Sequence, residues 1–199
     1  MREKYDNFFH TGIFGLGHIG QALSRYGNGE AAWNAFTKKG ENSFSWMWEK
    51  ADATTLWEIL PTNTASTKVG AGASLNHPMQ GVYDVWFYED ILGIRPDASG
   101  PGFKVTRFNP TMTAYLDWAE GSVESAYGEV SSKWKNENGK LDWEIEIPAN
   151  TSGLVALPSN KTITVNGVAF DATAYPVAEQ SGELTWYSFP SGQYDIVIE

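Results

Sequence analysis

The stretch NGKLDWEIEI, residues 138–147, decides the fold of the second half of the chain. Apolar side chains occupy every second position from Leu141 to Ile147, and charged side chains occupy the positions between them. Because a period of two places successive side chains on opposite faces, this stretch predicts a strand with one face in a core and one in water. The Asn138-Gly139 pair before it is a strong signal for a tight hairpin turn.

The same pattern of short strands and tight turns continues over the C-terminal half of the chain. A second Asn-Gly pair, residues 166–167, predicts another tight turn, and the final stretch LTWYSFPSGQYDIVIE, residues 184–199, indicates a closing hairpin. About seven or eight short strands at this turn spacing are typical of an antiparallel β-sandwich. We expect that domain to span residues 102–199.

Upstream of the proline- and glycine-rich segment PDASGPG, residues 96–102, the hydrophobic period becomes that of helices. Ser43 is a candidate N-cap for one of these helices. The sequence therefore predicts a two-part α+β chain with a helical part over residues 1–95, in which residues 50–80 form a long irregular stretch of the kind that is often functional. The helical pattern occurs in the segments GHIGQALSRYGN, GEAAWNAFTKKG, NSFSWMWEKA and GVYDVWFYEDILG.

Charge and composition exclude several classes of function. The formal net charge of −10 disfavours a nucleic-acid partner, because an acidic protein repels phosphate backbones. The absence of cysteine excludes disulfides, thiolate metal sites and a cysteine nucleophile. The charged N-terminus lacks the apolar core of a signal peptide, and no apolar run reaches the length of a membrane span. We expect a soluble chain without a membrane or nucleic-acid partner, and its cellular location stays open.

Two weaker patterns carry alternatives. The motif GLGHIG, residues 15–20, matches G-x-G-x-x-G, but no hydrophobic strand leads into it, so we interpret its glycines as points of close helix approach. The histidines His10, His18 and His77 could form a metal site with one open position. A spacing of eight residues between the first two is not a helical ligand spacing, so the metal site is kept only as an alternative, and no other cofactor is expected.

The irregular stretch gathers carboxylates and aromatic rings that suit carbohydrate chemistry. Planar apolar rings pack against sugar faces, and glycoside cleavage uses one group that protonates the leaving oxygen and another that activates water or attacks carbon. From the residues alone, a sugar site and a plain aromatic core with a surface carboxylate both stay open. The residues concerned are Trp46, Trp48, Glu49, Trp57, Glu58, Asn76 and His77.

A series of motifs follows one another in a recognisable order. ATTLWE, residues 53–58, is followed by SLNH, residues 74–77, and then by GVYDVWFYEDILGIRPDASGPGF, residues 81–103. The segments SAYGEVSSKWK, residues 125–135, and EIPANTSGLVALP, residues 146–158, continue the series. Over nearly the whole chain, these motifs resemble the C-terminal part of family 78 glycoside hydrolases, the bacterial α-L-rhamnosidases.

The resemblance implies an inverting hydrolase in which a partial, truncated (α/α)₆ barrel precedes the β-sandwich. Glu58, the glutamate of the T-T-L-W-E element, is then the expected general base. His77 of the S-L-N-H element is expected to contact the sugar, and Trp57 to help wall the pocket. The family commonly has tyrosine after this histidine, where the present chain has Pro78. Trp46, Trp48 and Asn76 are further candidates for contact with a rhamnose-type sugar.

The resemblance also places the general acid of the family upstream of this chain. Because an inverting mechanism needs both carboxyl groups, we expect a rhamnosidase-related glycosidase fragment with impaired activity, in which Glu49 is the one nearby acid that could substitute. The alternatives are a non-catalytic carbohydrate-binding protein and a metal-dependent hydrolase that uses the histidines. Helices built to pack on absent neighbours expose apolar faces, so we also expect a homo-oligomer.

Overall fold

The protein folds as a helical part followed by a β-sheet domain, which confirms the predicted α+β organisation. The computed structural model describes residues 11–41, 43–49, 52–60 and 73–199. The chain divides into two compact units, one that ends at Phe87 and one that runs from Tyr88 to Glu199. The domain bounds 1–95 and 102–199 stay a prediction.

Within the described ranges, the helical part contains three regular helices where the apolar spacing predicts them. Ser43 caps the third helix, because the Trp46 amide donates to its hydroxyl at 3.2 Å. The regular helix predicted for GVYDVWFYEDILG, residues 81–93, is instead divided among 3₁₀, α and π hydrogen bonding, which a short apolar pattern cannot distinguish. No helix in the described ranges is long and apolar enough to cross a membrane. The helices are α1 (Ile13–Arg25), α2 (Gly29–Thr37), α3 (Phe44–Glu49), a 3₁₀ helix (Pro78–Tyr83), α4 (Asp84–Trp86) and a π-helical turn (Phe87–Ile91).

An aromatic core holds the helical unit together. Phe36 stacks on Trp86 with ring centroids 4.4 Å apart. A Cβ atom at Gly20 would lie 2.8 Å from the Trp86 ring, and one at Gly17 would lie 2.3 Å from the Val82 side chain. The glycines of the GLGHIG motif therefore permit close packing of α1, as the sequence interpretation expects. The buried members of this core are Leu16, Ala35, Phe44, Met47, Trp57 and Tyr83.

The described residues of the second unit form a nine-stranded sheet. Both Asn-Gly turns are confirmed, with positive φ at Asn138 and Gly139 (53° and 85°) and at Asn166 and Gly167 (52° and 76°). The strands are β1 (Ile94–Pro96), β2 (Val105–Phe108), β3 (Trp118–Ser125), β4 (Gly128–Glu137), β5 (Lys140–Pro158), β6 (Ile163–Val165), β7 (Val168–Ala169), β8 (Val177–Ser181) and β9 (Leu184–Ile198).

The long antiparallel pair of β5 and β9 organises this sheet. The register breaks between Ile147 and Ser152 on β5, opposite Pro190 and Gly192 on β9. The predicted closing hairpin at residues 184–199 is therefore wrong: its Pro-Ser-Gly segment is the break in one continuous strand and not a turn. The sheet also differs from a wholly antiparallel sandwich in one pairing, because β2 runs parallel to β5.

Two buried indoles in the core of the β domain have their N–H groups satisfied. The Ser132 hydroxyl is fully buried, donates to the carbonyl of Leu92 at 2.7 Å and accepts from Nε1 of Trp143 at 3.0 Å. Nε1 of Trp134 donates to the carbonyl of Ile91 at 2.8 Å. Ser132 thus serves two buried polar groups at once, and its loss leaves both without this partner.

Ser132→Ala is expected to lower the free energy of unfolding of the β domain by about 2 kcal/mol, the typical cost of unsatisfied buried hydrogen-bonding groups. Urea denaturation followed by tryptophan fluorescence measures the change. Ser131→Ala, one residue away and not fully buried, is the matched control and should change the midpoint little. Equal effects of the two substitutions would contradict the assignment.

Asp97 should make the stability of the β domain depend on pH in the acidic range. Hydrogen bonds from the Ser99 hydroxyl (2.6 Å) and amide (2.9 Å), and then the charge of Arg107, lower the pKa of Asp97. A lowered folded-state pKa contributes stability above the unfolded value of about 3.9, and this contribution is lost as pH falls through the folded-state pKa.

Asp97→Asn should therefore destabilise the domain at pH 7 and reduce the loss of stability on acidification below about pH 4. Denaturation midpoints at several pH values check this expectation. Asp142→Asn, which removes an exposed ion pair with Lys140, serves as the control. A pH dependence of Asp97→Asn identical to that of the wild type would refute it.

Candidate active site

A short main-chain pairing builds the site around Glu58. The Glu58 amide donates to the carbonyl of Ser74 at 2.9 Å, and the His77 amide donates to the carbonyl of Leu56 at 2.8 Å. The Thr55 hydroxyl adds a bond to the carbonyl of Leu75. We call this the 55–58/74–77 pairing. It brings the ATTLWE and SLNH motifs together across residues 61–72, which lie outside the described part of the chain.

The Glu58 side chain is half-buried and oriented by the same pairing. Its Oε2 atom accepts a hydrogen bond from the Ser74 amide at 2.8 Å. A bond from a main-chain N–H to a carboxylate is charge-assisted, so it fixes the carboxylate more firmly than a neutral bond would. A carboxylate fixed in this way is suited to remove a proton from a nearby water molecule.

Two buried side-chain atoms of residues 77–80, Nε2 of His77 and Oε1 of Gln80, have no hydrogen-bond partner within the described ranges. The Gln80 side chain is otherwise engaged, since its Nε2 donates to the carbonyl of Glu58 at 2.5 Å. Buried polar groups without partners are uncommon in proteins, and bound water or a ligand often completes them. These two atoms can therefore still form hydrogen bonds with water or with the hydroxyl groups of a ligand.

The predicted aromatic residues lie at different depths. Trp57 is only 7% exposed and belongs to the helical core, whereas Trp48 is 47% exposed and stacks on Phe44 with centroids 5.7 Å apart. Trp46 is half-buried on α3. Asn76 is exposed, and its amide donates to the Ser74 hydroxyl at 3.2 Å. The pairing brings Glu58, Asn76 and His77 together, and sugar contact by any of the aromatic residues stays a prediction.

Charged and titratable groups near the helical core have distinct environments. Burial raises the pKa of the Tyr83 phenol, and the adjacent Asp84 carboxylate acts in the same direction. Tyr83 therefore remains a neutral hydroxyl at neutral pH.

Glu49, the acid considered as a substitute for the upstream general acid, is exposed, and its Oε1 atom lies 3.9 Å from Nζ of Lys39. Such an exposed pair contributes little to stability.

The alternative metal site gains no support from the described residues. His18 is exposed on α1, and His10 lies outside the described residues. Among residues 11–41, 43–49, 52–60 and 73–199, no group of three or more His, Asp or Glu side chains could hold a metal ion. The site of His10, His18 and His77 therefore remains only a prediction.

Sequence reasoning did not single out Ser74 or Gln80. Ser74 is the first residue of the SLNH motif, so the motif itself was the available signal. Gln80 lies in the segment PMQG, residues 78–81, which has no pattern that predicts a buried amide bonded to Glu58. Both residues act through contacts with distant parts of the chain, which no local pattern encodes.

A cavity of about 340 Å³ lies in the β domain, on strands β3, β4, β5 and β9. Carboxylates dominate its lining, and its one aromatic residue, Tyr194, donates its hydroxyl hydrogen to the carbonyl of Pro190 at 3.0 Å. This cavity lies in a different unit from Glu58. Its volume therefore says nothing about the site around Glu58, where the hydrogen bonds define the geometry.

Similar proteins share both parts of the chain. The α-L-rhamnosidase of Alteromonas sp. (strain LOR) is 29% identical over 203 residues, which cover 100% of this chain and 20% of that protein. An α-L-rhamnosidase of Formosa agariphila is 30% identical over 169 residues, which cover 80% of this chain and 17% of that protein. The chain thus spans about a fifth of the length of these curated relatives.

Solved structures show the same architecture. The α-L-rhamnosidase from Dictyoglumus thermophilum superposes with a TM-score of 0.84 at 27% identity, over 100% of this chain and 22% of that one. The Streptomyces avermitilis α-L-rhamnosidase complexed with L-rhamnose gives a TM-score of 0.79 at 20% identity, over 100% of this chain and 19% of that one. The second likeness concerns the fold alone.

Two family models match successive parts of the chain. The bacterial alpha-L-rhamnosidase 6 hairpin glycosidase domain matches residues 2–91, and the bacterial alpha-L-rhamnosidase C-terminal domain matches residues 93–169. Together with the order of the ATTLWE, SLNH and later motifs, these matches confirm the resemblance read from the sequence. The chain belongs to the bacterial α-L-rhamnosidase family.

Proposed function

We propose that this chain contributes the general-base part of an inverting glycosidase site that acts on α-L-rhamnosides. One observation carries the proposal: the Glu58 carboxylate is held by the Ser74 amide at 2.8 Å, in a main-chain pairing that also holds the His77 amide. Membership of the rhamnosidase family supports the choice of substrate class.

In the proposed reaction, Glu58 removes a proton from water as the water attacks the anomeric carbon. A second carboxyl group must donate a proton to the leaving oxygen from the opposite side, at a separation of about 6.5–9.5 Å that leaves room for the water. Because the chain spans only a fifth of its curated relatives, we propose that this acid lies in sequence outside the 199 residues. Activity of the chain by itself is then weak, and the reaction needs no cofactor.

The proposed sugar contacts follow the placement of the polar atoms. Nε2 of His77, which has no partner in the described part of the chain, is suited to a sugar hydroxyl, and Asn76 and Trp48 are exposed and accessible to a ligand. Trp46 and Trp57 are proposed to shape the site from α3 and from the helical core. The choice of a rhamnose-type ligand follows the family membership of the chain.

We also propose that the separate 199-residue polypeptide self-associates through its helical unit. Phe14 on α1 and Tyr26, which follows α1, are 76% and 85% exposed, and Ile59 and Leu75 are also about half exposed. Large exposed apolar side chains drive association when they form a patch. A second copy of the chain is the partner that a solution of the purified polypeptide provides.

Glu58→Gln should abolish any hydrolysis of an aryl α-L-rhamnoside, because the amide cannot accept the proton of the attacking water. The loss expected is at least about a hundredfold, the usual contribution of a general base. Release of the aryl alcohol is the measurement, with circular dichroism to verify the fold. Glu41→Gln, at an exposed glutamate of the helical unit, is the matched control, and an equal loss in both variants would contradict the role of Glu58.

The same assay separates the alternatives. Rhamnose binding with no turnover in the wild type would favour a non-catalytic carbohydrate-binding protein. Turnover that a chelator removes, that zinc restores and that Glu58→Gln leaves intact would favour the metal-dependent hydrolase instead.

Light scattering at micromolar concentration should find a dimer or larger species. The double substitution of Phe14→Gln and Tyr26→Gln should shift this species toward monomer, because it removes two exposed rings. Tyr127→Gln, an exposed ring in the β domain, is the control and should leave the mass unchanged. A monodisperse wild-type monomer would end the self-association proposal.

A further inference from the structure

Gln80 is a buried polar residue that the reaction proposed above does not use. Its side chain is 5% exposed, although glutamine is mostly found at protein surfaces. Burying an amide is costly unless its polar atoms are hydrogen-bonded, so a buried glutamine requires a structural or functional reason. The contacts of Gln80 supply that reason.

The carboxamide of Gln80 bonds to the main chain of the proposed base. Its Nε2 atom donates to the carbonyl of Glu58 at 2.5 Å, which is short for an N–H···O bond. The amide of Gln80 itself donates to the carbonyl of His77 at 3.0 Å. One residue thus ties the segment that carries Glu58 to the turn that carries His77.

The 55–58/74–77 pairing explains why this tie affects the carboxylate. The Ser74 amide holds Oε2 of Glu58, while the Glu58 amide holds the carbonyl of Ser74. The Glu58 Cα atom lies between an amide that bonds to Ser74 and a carbonyl that accepts from Gln80, so loss of the Gln80 bond would release the C-terminal side of the residue that carries the carboxylate. The carboxylate is therefore positioned from two sides, at its side chain by Ser74 and at its carbonyl by Gln80.

The oxygen atom of the carboxamide is available to accept a hydrogen bond from water or from a ligand. Oε1 of Gln80 is buried and has no partner in the described part of the chain, as is also true of Nε2 of His77. A glutamine that served only packing could be replaced by an apolar residue without leaving a free acceptor. Buried acceptors of this kind are completed by ordered water or by a ligand hydroxyl.

We propose that Gln80 is a positioning residue for Glu58, fixing the main chain of the general base through its carboxamide N–H. The inference deepens the proposed function and depends on it for the role of Glu58. Gln80 touches no reacting atom in this account, and it acts only through the geometry that it imposes on Glu58.

Amide hydrogen exchange tests the positioning directly and requires no catalytic activity. In Gln80→Met, which keeps the length of the side chain and removes its hydrogen bonds, the Ser74 and His77 amides should exchange about tenfold faster, the factor for one ordinary hydrogen bond. Amides of α1 and α2 should keep their wild-type protection, because the loss is local. Faster exchange throughout the helical unit would mean a merely structural role and would overturn the inference, as would unchanged exchange at Ser74.

Gln80→Glu supplies a pH signature that a packing role would not show. Near pH 7.5 the ionised carboxylate cannot donate to the carbonyl of Glu58, so the Ser74 amide should exchange as it does in Gln80→Met. Burial raises the pKa of a carboxyl group, so near pH 5 a protonated side chain regains an O–H donor and should restore protection toward the wild-type factor. Protection in Gln80→Glu that does not change relative to the wild type between these pH values would contradict the inference.

Asn136 offers a matched control in the β domain. Its Nδ2 atom donates to the carbonyl of Thr113 at 2.7 Å, and its Oδ1 atom is buried without a partner in the described ranges. Asn136→Leu therefore removes the same kind of bond in a different unit. This variant should leave the exchange of the Ser74 and His77 amides unchanged, and accelerated exchange there would show that the Gln80 effect is not specific.

Kinetics separates failure of this inference from failure of the proposed function. In Gln80→Met, kcat for an aryl α-L-rhamnoside should fall about tenfold with KM within about twofold, since a displaced base weakens the transition state and not the ground state. If the wild type shows neither turnover nor L-rhamnose binding, the proposed function fails while the exchange experiment still decides the position of Gln80. If the wild type turns over and Gln80→Met has wild-type kcat, the positioning role is overturned while the proposed function stands.

Discussion

The hydrogen bond from the Ser74 amide to the Glu58 carboxylate is the interaction on which the account of the site depends. It joins the ATTLWE and SLNH motifs, and it orients the carboxylate that we propose as the general base. Around it, main-chain bonds hold residues 55–58 against residues 74–77, and neither of these two described stretches forms a regular strand. The packing of Trp57 in the aromatic core anchors one side of this arrangement, because its neighbour Glu58 cannot move far while the indole stays buried.

The β domain is stabilised by a different principle. Its two long strands, β5 and β9, pair with each other over most of their length and break register at one place. The strands β2 and β4 pair with β5, and β6 and β8 pair with β9. Burying the polar N–H group of a tryptophan costs free energy unless the group is hydrogen-bonded. Ser132 accepts such a bond from Trp143. This domain supplies a stable fold, whereas the residues of the proposed chemistry belong to the helical unit.

Local patterns were sufficient where structure is decided locally. The alternation from Leu141 to Ile147 and the two Asn-Gly turns gave the strands, and apolar spacing gave α1 to α3. The sequence misled where a local signal has two physical outcomes: Pro190-Ser191-Gly192 can form a turn or a register break, and the pairing with β5 selects the break. The parallel pairing of β2 with β5 and the bond from Gln80 to Glu58 depend on distant partners, so no local pattern predicts them. Glu58 and His77 were found because their motifs resemble a family, and not because their spacing encodes a site.

Titration of the isotopically labelled protein with L-rhamnose, followed by the amide resonances in NMR spectra, tests the central claim most directly. The account predicts concentration-dependent shifts that centre on residues 55–58 and 74–80 and that saturate together. Glu58→Gln should keep most of these shifts, because the base acts on water and not on the bound sugar. Saturating shifts confined to the cavity on strands β3, β4, β5 and β9, or no shifts at all, would contradict the assignment of the sugar site to the surroundings of Glu58.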